Sequence, residues 1–305
     1  MTVVGGGSME DQGMQIQRGC EIVIGTPGRI QQMLDAHHLV LSQCTFVVMD
    51  EADRMIDMGF EPQIVSILNN MPCSNTQPAN ISLVKRPMFR KTYMLSATMP
   101  KVVERLARRY MRAPVTVQVG EPGLPSSDIK QNVIWIDDKE DVRTKELRDI
   151  VRKHVKQDNR QVIVFVNRKD TADELALKMK KWGYKVDTLH SGKTQGGRKL
   201  ALDHFKEGRY LVMIATDVMG RGIDIKDVGL VVNYNMPSTI ELYTHRIGRT
   251  GRAGCKGTAV SMISIADRAL FVDLKRILRD TNSKVPFELQ QSTEVDEAGR
   301  PVFFD

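Results

Sequence analysis

The chain has no run of eighteen apolar residues, so nothing in its 305 residues reads as a membrane-spanning helix. It has only four cysteines, Cys20, Cys44, Cys73 and Cys255, which lie far apart and form no Cys-x-x-Cys pair. The usual zinc and redox spacings are thereby excluded, and reduced thiols are expected. His37, His38, His154 and His204 add no metal-ligand pattern. The first thirteen residues carry glycines and an early acid where a secretory signal would carry a basic and then an apolar block, so an intracellular protein is expected. A basic tail is missing too. The net charge of +7 is spread along both halves, which suits a polyanionic partner without identifying one.

What is present is ordinary for a folded protein: 41% hydrophobic and 27% charged residues, in a chain long enough for two domains. Short β-branched apolar runs recur, each followed by a helical pattern. In the first part they are Glu21–Gly25, Thr45–Met49, Thr92–Leu95 and Val115–Val119. In the second they are Asn132–Ile136, Gln161–Val166, Lys185–Leu189, Tyr210–Ala215, Gly229–Asn233 and Gly257–Ile263. Nearly unbroken apolar runs mark strands buried on both faces, and strands alternating with helices indicate a parallel α/β sheet. Among the helices, Asp170–Trp182 places Ala172, Leu175, Ala176 and Met179 at helical spacing and stops at Gly183. Arg198–Lys206 and Ala266–Leu278 follow the same logic. Residues 120–131 concentrate Pro, Gly and Ser without an apolar period and read as a linker. It divides a first domain, 1–119, from a second, 132–280, and a polar tail, 281–305, follows.

The chemistry gathers where strands end. Asp50-Glu51-Ala52-Asp53 follows the apolar Val47–Met49, at the carboxyl edge where α/β sheets bind ligands. Asp50 is placed to hold Mg²⁺ through its water shell, and Glu51 to orient or deprotonate an attacking water. The plainer reading is an acidic helix start, with Asp53 favouring the N-terminal dipole. Ser96-Ala97-Thr98 closes the next strand but one and Thr26-Pro27-Gly28-Arg29 the one before, on one edge of one sheet, offering hydroxyls, amides and a guanidinium to phosphates. Thr26-Pro27 also reads as an N-cap followed by proline at the first helical position. In the second part, Thr216-Asp217 leads to Gly220-Arg221-Gly222-Ile223-Asp224, where glycine admits a close ligand and Asp224 is placed for a ribose hydroxyl. Finally, His245-Arg246-Ile247-Gly248-Arg249-Thr250-Gly251-Arg252 sets Arg249 and Arg252 three apart among glycines, suited to a phosphoryl group in transfer.

In this order and spacing the segments resemble the DEAD-box RNA helicase family, from about Val3 to about residue 280, with Val164–Asn167 and Gln195–Arg198 adding to the match. The resemblance implies two RecA-like parallel-sheet domains, the first incomplete, that close over ATP and single-stranded RNA. It implies that Asp50 and Glu51 serve Mg²⁺ and water, and that Gly222, Asp224, Arg249 and Arg252 contact the nucleotide. Ser96, Thr98, Asp53 and His245 would couple nucleotide state to RNA grip. Gly5, Gly6, Thr26, Pro27, Gly28, Arg29, Gln195, Arg198 and Thr216 would lie along the RNA backbone, making binding tolerant of sequence. Within the family, stretches such as Asp50–Pro62 and Gly220–Ile225 are similar to the spliceosomal members that act at the 5′ splice site. A monomeric nuclear protein with spliceosomal protein partners is expected from that likeness.

One departure stands out. The family's glutamine motif and its Gly-rich loop ending in Gly-Lys-Thr do not precede the first matched segment. Ser191-Gly192-Lys193-Thr194 imitates the loop, but a phosphate loop needs glycine five positions before Gly192, where Asp187 stands. A truncated first domain with an uncovered apolar face and weak ATP binding is therefore expected. The alternative is a module that binds RNA or protein without hydrolysing ATP. The retained acids, arginines and Ser-Ala-Thr favour the enzyme.

Overall fold

The computed structural model describes residues 1–72, 89–118, 123–158, 160–217, 228–251, 254–291, 294–295 and 301–302. They fall into two compact units, Met1–Pro122 and Gly123–Asp305. Both are α/β with parallel sheets, as the strand and helix alternation predicts.

In the first unit β1 (Thr2–Val3) runs parallel to β2 (Ile24–Gly25), while β3 (Phe46–Met49) runs parallel to β4 (Lys91–Met94) in a separate pair. Helices α1 (Met9–Gln17) and α2 (Pro27–Asp35) accompany the first pair, and α3 (Ala52–Asp57), α4 (Glu61–Asn69) and α5 (Lys101–Tyr110) the second. Helix α5 buries Val103, Leu106 and Tyr110, spaced three and four apart, as an amphipathic helix must. The β3–β4 pair is covered on one side only among the described residues. Met49 is buried, whereas Phe46, Val48, Tyr93 and Leu95 are all more than half exposed. A cavity of about 1190 Å³ lies within this unit, lined by Val23, Ile24, Phe46 and Val48 among others.

The second unit has six parallel strands in the order β5-β10-β9-β6-β8-β7. They are β5 (Ile129–Trp135), β6 (Val162–Phe165), β7 (Val186–Leu189), β8 (Val212–Ala215), β9 (Leu230–Asn233) and β10 (Gly257–Ile263). Both faces are covered. Val162 and Val164 of β6 pack with Leu147 and Val151 of α6 (Glu140–Gln157) and with Leu175 and Met179 of α7 (Lys169–Lys181). Ile163 and Phe165 point the other way, to Ala201 and Phe205 of α8 (Gln195–Lys206). Helices α9 (Ile240–Ile247), α10 (Phe271–Asp280) and α11 (Phe287–Gln291) complete that side near β10.

Three differences from the sequence expectation have physical causes. Val115–Val119 alternates like a strand, yet residues 114–118 form none and Val115 and Val117 are open to solvent, since no described strand pairs with them. Ile129–Gln131, assigned by composition to the linker, begin β5 and pair with Gly257–Ala259. The tail is not featureless: Leu289 of α11 is fully buried against the α10 side. Among the described residues no helix is long and apolar enough to cross a membrane.

Candidate nucleotide and RNA site

In the first unit the β3–β4 ladder continues past the strands. The Leu95 amide donates to the Met49 carbonyl at 2.8 Å and the Ala52 amide to the Leu95 carbonyl at 3.0 Å. That stitching brings the acidic turn beside Ser96 and Thr98. The Asp53 amide donates to Ser96 Oγ at 3.0 Å, and Thr98 donates to Asp53 Oδ2 twice, from its amide and its Oγ1, both at 2.8 Å. Asp53 is almost wholly buried. Burial pushes its carboxyl up, but hydrogen bonds from Thr98 Oγ1, the Thr98 amide, the Arg54 amide and Ser96 together hold it below the usual carboxylate range. The helix-start reading of Asp53 is thus only part of the account: it is the acceptor that joins two sequence segments.

Asp50 and Glu51 precede that knot. Asp50 is exposed at the end of β3, its Oδ1 accepting the Glu51 amide at 3.0 Å. Glu51 takes the left-handed conformation, φ 52°, which costs a residue with a Cβ about 1–2 kcal/mol and marks a turn held by its surroundings. Arg54 Nη1 stands 3.9 Å from its Oε2. Two neighbouring carboxylates, one open to solvent, fit the hard-oxygen chemistry of a water-mediated Mg²⁺ contact. No cluster of three or more His, Cys, Asp or Glu among the described residues forms a protein-only metal cage.

The β1–β2 pair carries the other group of the first unit. Thr26 caps α2 by backbone position without a side-chain bond, and Pro27 takes the first turn. Both terminal nitrogens of Arg29 donate to the Gly7 carbonyl at 3.1 Å, so this guanidinium fixes the turn that presents Gly5 and Gly6. Gly5, Gly6 and Thr26 are exposed. Ser8 accepts the Asp11 amide at 3.2 Å and caps α1.

In the second unit the candidate residues again sit at carboxyl ends of strands. Gln195 opens α8 and is exposed, with Arg198 one turn on. Thr216 follows β8; its Oγ1 is buried and has no partner among the described residues. The imitation phosphate loop is otherwise engaged: Lys193 Nζ bonds Asp187 Oδ1 at 2.6 Å and Thr194 Oγ1 accepts the Gly197 amide at 3.1 Å. Thr194 is therefore a helix cap. His190, buried beside it, accepts the Gly192 amide on Nδ1 at 3.2 Å, leaving its Nε2 to donate to Asp173 at 3.0 Å. His245 lies in the last turn of α9 and Arg249 just beyond its cap, buried, with its Nε donating to the His245 carbonyl at 3.2 Å. Gly251, at φ 65°, packs on the start of β5, where any Cβ would strike Ile129. Its presence in the motif thus has a packing cause besides any ligand. Gly222, Asp224 and Arg252 lie outside the described residues.

Sequence reasoning missed Arg246. It is 2% exposed, and its Nε and Nη2 bind both oxygens of Asp217 at 2.6 and 2.7 Å. The arginines at 249 and 252 drew attention for their glycine setting, while a buried arginine carries no signal until its partners are seen.

Comparison with known proteins agrees with this geometry. Residues 1–106 match the DEAD/DEAH box helicase family and residues 143–254 the helicase conserved C-terminal domain. DEAD-box ATP-dependent RNA helicase 21 of Oryza sativa subsp. japonica is 50% identical over 291 residues, covering 95% of this chain and 39% of the rice protein. The chain thus spans well under half the length of that relative. The crystal structure of the yeast DEAD-box splicing factor Prp28 is 37% identical and covers 95% of this chain and 62% of its own, at a TM-score of 0.52. S. cerevisiae Dbp5 bound to RNA and ADP BeF3 is 27% identical over 93% of this chain and 68% of its own, at a TM-score of 0.72. Both parallel-sheet units are RecA-like, and the chain belongs to the DEAD-box RNA helicase family.

Proposed function

We propose that the chain is the core of an ATP-dependent RNA-remodelling enzyme of pre-mRNA splicing, in which acids of the first unit and arginines of the second each serve ATP hydrolysis. The observation that carries this reading is the Asp53–Ser96–Thr98 knot, which ties the acidic turn to the next strand end. A change at Asp50 or Glu51 is passed to Thr98 through short, charge-assisted bonds rather than through loose loop. Asp50 would hold Mg²⁺, and Glu51 would orient the attacking water. Bound Mg²⁺ would offset charge on the phosphates. Arg249 and Arg252 meet the phosphoryl group, Gly222 and Asp224 the rest of the nucleotide, and His245 joins Asp53 in coupling.

Gly5, Gly6, Thr26, Pro27, Gly28 and Arg29 form one RNA-backbone surface, and Gln195, Arg198 and Thr216 the other. The exposure of Gly5, Gly6, Thr26 and Gln195 supports that assignment, and the buried hydroxyl of Thr216 has no partner among the described residues. Contacts to phosphate and 2′-hydroxyl make binding prefer RNA to DNA and ignore sequence. Likeness to the yeast splicing factor Prp28 supports a nuclear, spliceosomal setting with protein partners there.

These 305 residues hold no Gly-x-x-x-x-Gly-Lys-Ser/Thr, so by themselves they lack the amide cradle and lysine that grip β- and γ-phosphates. The chain alone therefore binds Mg²⁺-ATP weakly while retaining RNA binding. Fluorescence anisotropy with one sequence as RNA and as DNA, alongside a fluorescent-ATP titration, tests both statements. Equal affinity for the two nucleic acids would remove the RNA reading. Tight, Mg²⁺-dependent nucleotide binding would remove the second.

A further inference from the structure

Arg246, on the last turn of α9, joins three strand ends of the second unit. Besides its two bonds to Asp217 after β8, its Nη2 donates to Asn167 Oδ1 after β6 at 2.9 Å. Its Nη1 donates to the Asn235 carbonyl after β9 at 2.7 Å and reaches Asn233 Oδ1 at 3.4 Å. The guanidinium also lies over the Phe165 ring, 5.2 Å from its centre. Asn167 is held in turn, its Nδ2 donating to the Met236 carbonyl at 2.8 Å. A planar fork satisfied on three sides has one orientation, so the ends of β6, β8 and β9 are fixed relative to one another.

A buried ion pair is weak evidence of stability in itself, since desolvation offsets much of its attraction. Asp217 keeps about a third of its side chain in solvent, which reduces the net gain further. What the arrangement does supply is position. Thr216, whose buried hydroxyl has no partner among the described residues, adjoins Asp217 directly, and Arg249 lies three residues beyond Arg246 at the same helix end.

We infer that Arg246 is a positioning residue for RNA: it holds Asp217, and with it the turn that carries Thr216, in the place from which that turn meets the RNA backbone, without touching RNA itself. The inference rests on the RNA-binding reading above. A lysine at 246 keeps the charge but loses the fork, so Arg246→Lys separates position from charge.

The test is a double-mutant cycle on RNA affinity of the whole 305-residue chain, read by anisotropy with a single-stranded oligonucleotide, with hydrogen exchange run in parallel. Arg246→Lys is expected to weaken RNA binding about tenfold, the scale of a lost hydrogen bond to a charged group. Combined with Thr216→Val it should weaken binding no further than the worse single variant. Combined with Arg198→Ala the losses should multiply. Multiplying losses with Thr216→Val would overturn the inference, as would an equal interaction with both partners, which a merely structural residue would give. Exchange in Arg246→Lys should rise only in peptides covering 165–168, 215–217 and 233–236. Unchanged exchange there, or a rise across the whole unit, also overturns it. If the unaltered chain binds no RNA, the RNA reading falls by that result, and the inference, which names RNA, falls with it. The exchange pattern then still shows whether Arg246 sets these strand ends.

Discussion

The two sheets put the same strand chemistry to different uses. In the second unit β6, β8 and β9 are buried on both faces, and every residue of Val162–Phe165 is within 1% of full burial. In the first unit β3 is as apolar, while β4 begins with Lys91 and Thr92, and Phe46, Val48, Tyr93 and Leu95 remain open among the described residues. Apolar runs therefore say that a strand belongs in a covered sheet, but not what covers it. The second unit holds its polar edge with a packed core beneath it. The first holds its edge over a core on one face, where Met49 packs with Ile64, Leu68 and Leu106, and through hydrogen bonds between Asp53, Ser96 and Thr98.

The largest expected effect lies in the doubly covered sheet. Ile163→Ala should destabilise the second unit by about 2–5 kcal/mol through lost burial and the cavity left behind. Both tryptophans, Trp135 and Trp182, lie in that unit, so urea unfolding followed by their fluorescence reports it alone. A loss below about 1 kcal/mol would mean that its core is far looser than the structure indicates.

Next comes the knot. Asp53→Asn removes the charge that Thr98 and Arg54 donate to and should cost the first unit about 1.5–3 kcal/mol, read as faster hydrogen exchange in α3 and at residues 96–98. The pH dependence separates the units. Asp53 has a folded pKa below its unfolded value of 3.8, so its contribution is present above that value and fades as pH falls through the folded one. His154 is also lowered, from 6.5, chiefly by burial, with the Arg160 carbonyl and Asp158 opposing and the Arg160 charge assisting. An unfolded chain takes up that proton first, so the second unit should begin to lose stability as pH drops below 6.5. Tryptophan-monitored unfolding should therefore weaken at milder acidity than exchange around Asp53. The reverse order would contradict the assignment of these groups.

The smallest effect should come from the open face. Val48→Thr on β3 should change stability by no more than about 0.5 kcal/mol, since its side chain is more than half exposed. A cost above about 1 kcal/mol in hydrogen exchange would mean that this face is covered in solution.

How much of this the sequence held depends on the kind of residue. Gly257–Ile263 reads as a strand and is one, because its β-branched run sits where both faces are buried. The start of β5 was hidden because Gln131 looks like a linker residue until its Oε1 is seen to accept the Tyr243 hydroxyl at 2.8 Å inside the core. Val115–Val119 shows the opposite error, since alternation makes a strand only where an edge is available to pair with. At the site, Asp53, Ser96 and Thr98 are legible as strand ends on one sheet edge, although neither the direct pairing of β3 with β4 nor the bonds between residues 45 apart are. Arg246 was illegible for a further reason: its partners come from three strands, and only the sheet order brings them together.

The central claim is that Glu51 and the arginines of the second unit serve one RNA-stimulated hydrolysis. It is tested most directly by joining a segment that carries a Gly-x-x-x-x-Gly-Lys-Thr loop ahead of these residues and measuring ATP hydrolysis with and without RNA. The account predicts RNA-stimulated turnover that Glu51→Gln and Arg249→Ala each reduce by about a hundredfold or more, with ATP binding largely kept. A folded fusion that binds ATP yet hydrolyses it at the same rate with or without RNA, or with Gln at position 51, would contradict it.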